Sequence, residues 1–272
     1  MGPIVIFDSG YGGLTILEGI RNRLPQYDYI YLGDNARAPY GTRSFDVVYE
    51  FTLQAVKKLF EFGCPLVILG CNTASAKALR SIQQNYLPTA APDRRVLGVI
   101  RPTAEVVGQM SHTGHIGVLA TEGTIKSESY KLEITKLYPQ CTVIGQACPM
   151  WVPLVECGEF DKPGADYFVK DSLDKLLAQD PLIDTIILGC THFPLLLPKI
   201  RRYTPEGITL IPQGQYIAVS LEDYLHRHPE MNQRLTQGGT TQDLTSESTT
   251  KFRESASLFL KENITAQRVT LN

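Results

Sequence analysis

Val67-Ile68-Leu69-Gly70-Cys71-Asn72-Thr73 recurs further along the chain as Ile186-Ile187-Leu188-Gly189-Cys190-Thr191-His192. Each copy reads as a short apolar strand, a glycine, a thiol and then polar residues that open the next element. Continuous apolar runs of this kind suit strands buried on both faces, the usual condition in parallel sheets. Two such strands ending alike suggest a near-symmetric site with two thiols. Few chemistries need that arrangement, and the leading one removes a proton from one face of a carbon and returns it to the other.

Outward from these runs, strands and helices alternate. Residues 3–7 form an apolar run ending in Asp8-Ser9-Gly10, 14–24 have helical spacing, and 29–32 form a second strand running into the polar loop 33–42. Ser44 is a candidate N-cap for a helix whose apolar positions Val47, Val48, Phe51, Ala55, Leu59 and Phe62 recur at three and four. The strand at 65–69 carries Cys71, a helix is expected over 73–86, and the strand at 96–100 is broken by Arg101-Pro102-Thr103. A second series follows: strand 116–119, helix 126–137, strand 142–147, helix 167–177 and strand 185–188, which carries Cys190. Pro194 fits the first turn of the next helix. Strand 208–211 and a helix over 217–225 resume the pattern, 238–250 reads as a long surface loop, and a helix over 250–261 and a strand near 268–271 close the chain.

Strands separated by helical stretches are βαβ units, which build parallel sheet. The expected fold class is therefore α/β, with two similar domains, each a mainly parallel sheet flanked by helices. The first comprises 1–98 plus 212–272 and carries Cys71, because the last helix is expected to pack back onto it. The second comprises 99–211 and carries Cys190.

The 272 residues are 43% hydrophobic and 20% charged, with a formal net charge of −2. That charge gives no electrostatic case for nucleic acid or for an anionic membrane surface. No window approaches the roughly 18 apolar residues of a membrane span, and the N-terminal residues lack a basic-then-apolar signal. A cytoplasmic location is expected, with all six cysteines reduced. No CxxC pair marks a zinc ribbon or a redox motif, and the five histidines form no cluster with other ligands, so no metal is expected. Cys64, Cys141, Cys148 and Cys157 read as small buried hydrophobes.

Ligands of open parallel sheets bind beyond the carboxyl ends of the strands. Asp8-Ser9, Gly33-Asp34-Asn35, Cys71-Asn72-Thr73, Thr121 and Cys190-Thr191-His192 all fall at such ends. Together they would make a site for a small, highly polar ligand. Thr73 and Thr191 sit near helix starts, whose free N–H groups lower a thiol's pKa, and a thiol can act as base in one direction and acid in the other. Taken alone, each cysteine also fits a core position, Asp8-Ser9 a helix cap, Pro39-Tyr40-Gly41 a turn and Glu156 a surface charge. Asp8-Ser9-Gly10-Tyr11-Gly12-Gly13 supplies flexible backbone for close ligand approach but is not a dinucleotide fingerprint, and no phosphate-cradling loop is present.

Four ordered motifs resemble the cofactor-independent glutamate racemases of the aspartate/glutamate racemase family. They are Phe7-Asp8-Ser9-Gly10-Tyr11-Gly12-Gly13-Leu14, the stretch Tyr31-Leu32-Gly33-Asp34-Asn35-Ala36-Arg37-Ala38-Pro39-Tyr40-Gly41, Cys71-Asn72-Thr73-Ala74-Ser75, and Leu188-Gly189-Cys190-Thr191-His192-Phe193-Pro194. The resemblance spans residues 4 to about 200. It implies a two-base reaction across the interface of two α/β domains, without a cofactor, making D-glutamate for peptidoglycan. Cys71 would take the α-proton of D-glutamate and Cys190 that of L-glutamate. Asp8 would support Cys71, His192 would support Cys190, and Glu156 matches a further acidic catalytic residue. Glutamate would be held by Asp8, Ser9, Tyr40, Gly41, Asn72, Thr73, Thr191 and His192, with Thr121 a further candidate. A homodimer is the expected assembly. The chain departs from the family pattern at Pro212-Gln213-Gly214, where that pattern has Asp-Ser-Gly, and at Arg101-Pro102, where it has Glu-Pro.

Two other readings compete: an isomerase for another small acid such as aspartate, and a non-catalytic binding protein on the same scaffold. The joint presence of Cys71, Cys190, Asp8 and His192 argues against the binder, which needs no thiol pair. A redox role is weaker, because neither cysteine is followed by a resolving partner.

Overall fold

In the computed structural model, residues 1–260 and 264–272 are described. The strands are β1 (Ile4–Asp8), β2 (Tyr29–Gly33), β3 (Leu66–Leu69), β4 (Arg95–Gly98), β5 (His115–Ala120), β6 (Thr142–Ala147), β7 (Thr185–Gly189), β8 (Thr209–Ile211), β9 (Thr241–Thr245) and β10 (Ala266–Arg268). They form two sheets, in the orders β10-β9-β2-β1-β3-β4 and β6-β5-β7-β8. Every pairing in both is parallel. Helices flank the sheets because a parallel connection needs a crossover. Residues Ile4 to Phe7 of β1 are fully buried, and each such side chain contributes about 1.5–3 kcal/mol relative to exposure.

Register explains why the polar residues converge. Asp8 pairs with Gly33, and Phe7 with Leu69, so β1, β2 and β3 end level. Gly70 N–H then donates to Phe7 O at 2.7 Å, carrying Cys71 just past the sheet edge. In the second sheet Ala120 pairs with Gly189, so Thr121 and Cys190 emerge side by side.

Several elements differ from expectation. A helix covers Ile100–Met110, so Arg101-Pro102-Thr103 open a helix after the strand they break. Pro102 lies in its first turn, where a missing N–H costs nothing. A short helix at Trp151–Glu156 was not anticipated. The helix expected over 73–86 is split into Asn72–Lys77, Leu79–Ser81 and a π-helical Ile82–Tyr86. The one expected over 126–137 is split at Glu128, whose φ is 53°.

The stretch 238–250 is not simply a surface loop, because β9 lies within it, between β2 and β10. Thr241-Gln242-Asp243-Leu244-Thr245 has one apolar residue, so no hydrophobic pattern marks it. The closing helix is Thr249–Ala256. Its expected last residue, Lys261, lies outside the described residues. Phe252 packs against Tyr11 and Tyr31, with ring centroids 5.6 and 6.1 Å apart.

Candidate active site

Both repeated cysteines reach one cleft. Ser9, Tyr40, Gly41, Asn72, Thr73, Thr121, Glu156, Thr191 and His192 line it with them. Of the sequence-derived candidates, Asp8 and the strand-end residues Gly33, Asp34 and Asn35 are not in the wall; Asp8 is fully buried behind it. Its carboxylate accepts from Gly10 N at 2.7 Å and from Thr191 Oγ1 at 3.3 Å, tying the loop after β1 to the loop after β7. Burial pushes the Asp8 carboxyl up, against the lowering influence of His192 and these donors.

Cys71 is the N-cap of the Asn72–Lys77 helix, and its sulfur accepts from Ala74 N at 3.5 Å. Ser9 Oγ lies 3.3 Å from the same sulfur. The expectation that a helix start would lower this thiol's pKa is not met. Desolvation, joined by the nearby Asp8 carboxylate, outweighs Ser9 and Ala74 and pushes the thiol up to about 12.

Cys190 has no α-helix starting beside it. His192 opens a 3-10 turn at Phe193–Leu196, and its Nδ1 lies 3.9 Å from the Cys190 sulfur. Its Nε2 lies 3.1 Å from Glu156 Oε1. Burial alone would discharge the imidazole, but Cys190 and Glu156 overcome it and raise His192 to about 10. Glu156 is thus one side of a charged pair at the end of the Trp151–Glu156 helix rather than a free surface charge.

The two halves meet tightly around the thiols. A Cβ on Gly12 would come within 2.3 Å of Thr191 Oγ1 and 2.5 Å of His192 Nδ1, so the glycine admits the Cys190 loop itself. Across the mouth, Thr73 Oγ1 and Thr121 Oγ1 are 2.9 Å apart, and Gly123 N–H donates to Gly41 O at 2.8 Å. Tyr40 hydroxyl donates to the buried carboxylate of Asp34, which Arg37 and Ser246 also hold. Ser246 follows β9, so the unanticipated strand helps fix the Tyr40 loop.

Sequence reasoning missed Cys148, Pro149, Val152 and Pro153 in the cleft wall. The helix that brings them has too few residues for a period to show. Cys148 is buried as expected, but Cys157 is exposed, a correction: it ends that short helix and faces outward. Among the described residues no group of three or more His, Cys, Asp and Glu side chains is placed to hold a metal ion. Among the described residues no lysine or arginine lines the cleft. An anionic ligand would be met by hydroxyls, amides and His192.

The cleft thus lies between two parallel sheets, with a thiol at the end of a strand from each. The chain belongs to the Asp/Glu/Hydantoin racemase family, whose model matches residues 14–221. It is similar to a glutamate racemase of Roseobacter denitrificans, 37% identical over 269 residues, covering 95% of this chain and 97% of that one. Its structure is similar to that of a glutamate racemase isoform from Bacillus anthracis, with TM-score 0.90, 33% identity, and 99% and 98% of the two chains covered. It also resembles a Francisella tularensis glutamate racemase solved in complex with D-glutamate, with TM-score 0.87, 31% identity, and coverage of 99% and 98%.

Proposed function

We propose that this protein interconverts L- and D-glutamate, moving the α-proton between Cys71 and Cys190. The observation that carries the reading is one cleft lined by both thiols, each with a different helper. From L-glutamate, the Cys190 thiolate takes the α-proton and becomes a thiol. The electron pair left on the α-carbon is delocalised into its carboxylate. The Cys71 thiol then delivers its proton to the opposite face and is left as thiolate. The reverse reaction starts from that state.

His192, paired with Glu156, offsets charge on the Cys190 sulfur, and Ser9 faces the Cys71 sulfur. Asp8 acts from behind through its charge and through Thr191. Ser9, Asn72, Thr73, Thr121, Thr191 and the Tyr40-Gly41 backbone supply donors for the two carboxylates and partners for the ammonium group. The proposal includes division of the chain into 1–98 plus 212–272 and 99–211, supported by the strand membership of the two sheets. It also includes a homodimer in the cytoplasm, making D-glutamate for peptidoglycan. Among the described residues no helix is long and apolar enough to cross a membrane.

The test is incubation with L-glutamate in D₂O without added cofactor. Loss of optical rotation together with deuterium at the α-carbon is the expected result. Exchange of aspartate but not glutamate would move the assignment to another acidic amino acid. No exchange of either would leave a binding protein.

A further inference from the structure

Asn72 of the cleft wall forms a closed ring of hydrogen bonds with Tyr130 and Gln213, which lie behind it. Asn72 Nδ2 donates to Gln213 Oε1 at 2.7 Å, Gln213 Nε2 donates to Tyr130 Oη at 2.6 Å, and Tyr130 hydroxyl donates to Asn72 Oδ1 at 2.6 Å. Gln213 Nε2 also reaches Thr103 Oγ1 at 2.9 Å and Val99 O at 3.4 Å. The carbonyl of Val99 can only accept, so it fixes which end of the Gln213 amide faces it. That in turn fixes the direction of every bond in the ring. All three side chains are at least nine-tenths buried, with exposures of 2%, 3% and 3%. A broken bond here leaves a donor or acceptor unsatisfied away from water.

The ring joins the two thiol-bearing strand ends. Asn72 is the residue after Cys71. The Tyr130 ring packs against Gly189, the residue before Cys190, where a Cβ would stand 3.1 Å from Tyr130 Cε2. Gln213 stands where the chain leaves β8 for the Gly214–Arg227 helix. Hydrogen bonds and ring packing therefore run from Asn72, next to Cys71, through Gln213 and Tyr130 to Gly189, next to Cys190.

We propose that Gln213 is a positioning residue which, through Asn72 and Tyr130, sets the spacing of the two thiols. Only a primary amide meets its position, accepting from Asn72 while donating to Tyr130 and Thr103. A carboxylate has nothing to donate, and a thioether lacks both functions. The kinetic part of this inference rests on the racemase reading, but the spacing can be read without activity.

The experiment compares wild type with Gln213→Met, and with Tyr130→Phe as a variant that removes a single hydroxyl. The melting temperature of each is recorded so that rates refer to folded protein. In Gln213→Met, kcat for glutamate should fall at least about tenfold while KM changes less than threefold. The α-deuterium isotope effect on kcat/KM should rise with both enantiomers, because both proton transfers lengthen. A residue that only stabilises the fold would lower the melting temperature and leave the isotope effects alone. The double variant should be little worse than Gln213→Met, since both break one ring.

Bridging of the two thiols by dibromobimane, in a Cys148→Ala background, should slow at least fivefold in Gln213→Met. Folded Gln213→Met with unchanged kcat, isotope effects and bridging rate overturns the proposal. A wild type that exchanges no α-proton overturns the glutamate reading instead, and the bridging rates then decide this one.

Discussion

The two cysteine ends are alike in sequence and unlike in chemistry. At the first, Cys71 caps a helix, faces a serine hydroxyl and has a buried carboxylate behind it, and its thiol is pushed up to about 12. At the second, Cys190 faces an imidazole that is itself raised to about 10 and backed by Glu156. The first end keeps its proton on sulfur, and the second holds a protonated imidazole beside its sulfur. A two-base exchange needs one acid and one base at a time. The unequal ends differ in the sense the proposed exchange requires, with a protonated thiol at Cys71 and a charged imidazole beside Cys190.

The bluntest way to break the comparison is to remove either sulfur. Cys71→Ser and Cys190→Ser should each lower racemisation on the order of 10³-fold or more, the upper range for loss of a positioned acid–base group. Polarimetry with L-glutamate checks it. If either variant kept a tenth of wild-type activity, proton transfer would not require both thiols.

The helpers should matter less, and one-sidedly. His192→Asn and Asp8→Asn should each cost about 10²-fold in kcat/KM. Because enantiomers have equal free energies, kcat/KM must remain equal in the two directions, so the asymmetry has to be sought in isotope effects. His192→Asn should raise the α-deuterium effect with L-glutamate, and Asp8→Asn with D-glutamate. Equal rises with both enantiomers in either variant would mean that the helpers are shared between the ends.

Much of this contrast was written in the chain where polar residues follow apolar runs. The strand ends at Asp8, Cys71, Thr121 and Cys190 were legible because a buried parallel strand must be apolar throughout and stop abruptly. Elements lacking that signature were not legible. β9 has a single leucine, and the Trp151–Glu156 helix is too short for a period, so the strand behind the Tyr40 loop and the origin of Glu156 emerged only in three dimensions. The raised pKa of Cys71 escapes the sequence for a related reason. Sequence shows a helix start but not the depth at which it lies, and depth outweighed the helix terminus. Pro212-Gln213-Gly214 reads in the sequence only as a departure from pattern, and folding adds that Gln213 is bonded to four partners.

The smallest effect separates the two ends by pH. His192 titrates near 10 in the folded chain, against about 6.5 for an unperturbed histidine. The folded state therefore binds more protons between those values, so this stability is complete below about pH 6.5 and is lost as pH rises toward 10. Cys71, raised to about 12, against about 8.5 for a free thiol, has the same sign but acts in a higher window. Melting temperature should thus fall between pH 7 and 9 mainly through the Cys190 end, and between pH 9 and 11 increasingly through the Cys71 end. The first fall should be ~5–10 °C, since nearly one proton over two pH units is about 2.5 kcal/mol and about 1 kcal/mol moves Tm by ~2–4 °C in a chain of this size. Glu156→Gln, which removes a charge holding the imidazolium, should shrink the first fall and spare the second, and Cys71→Ser should do the reverse. If Glu156→Gln left the fall between pH 7 and 9 unchanged, the proton at that end would not reside on His192.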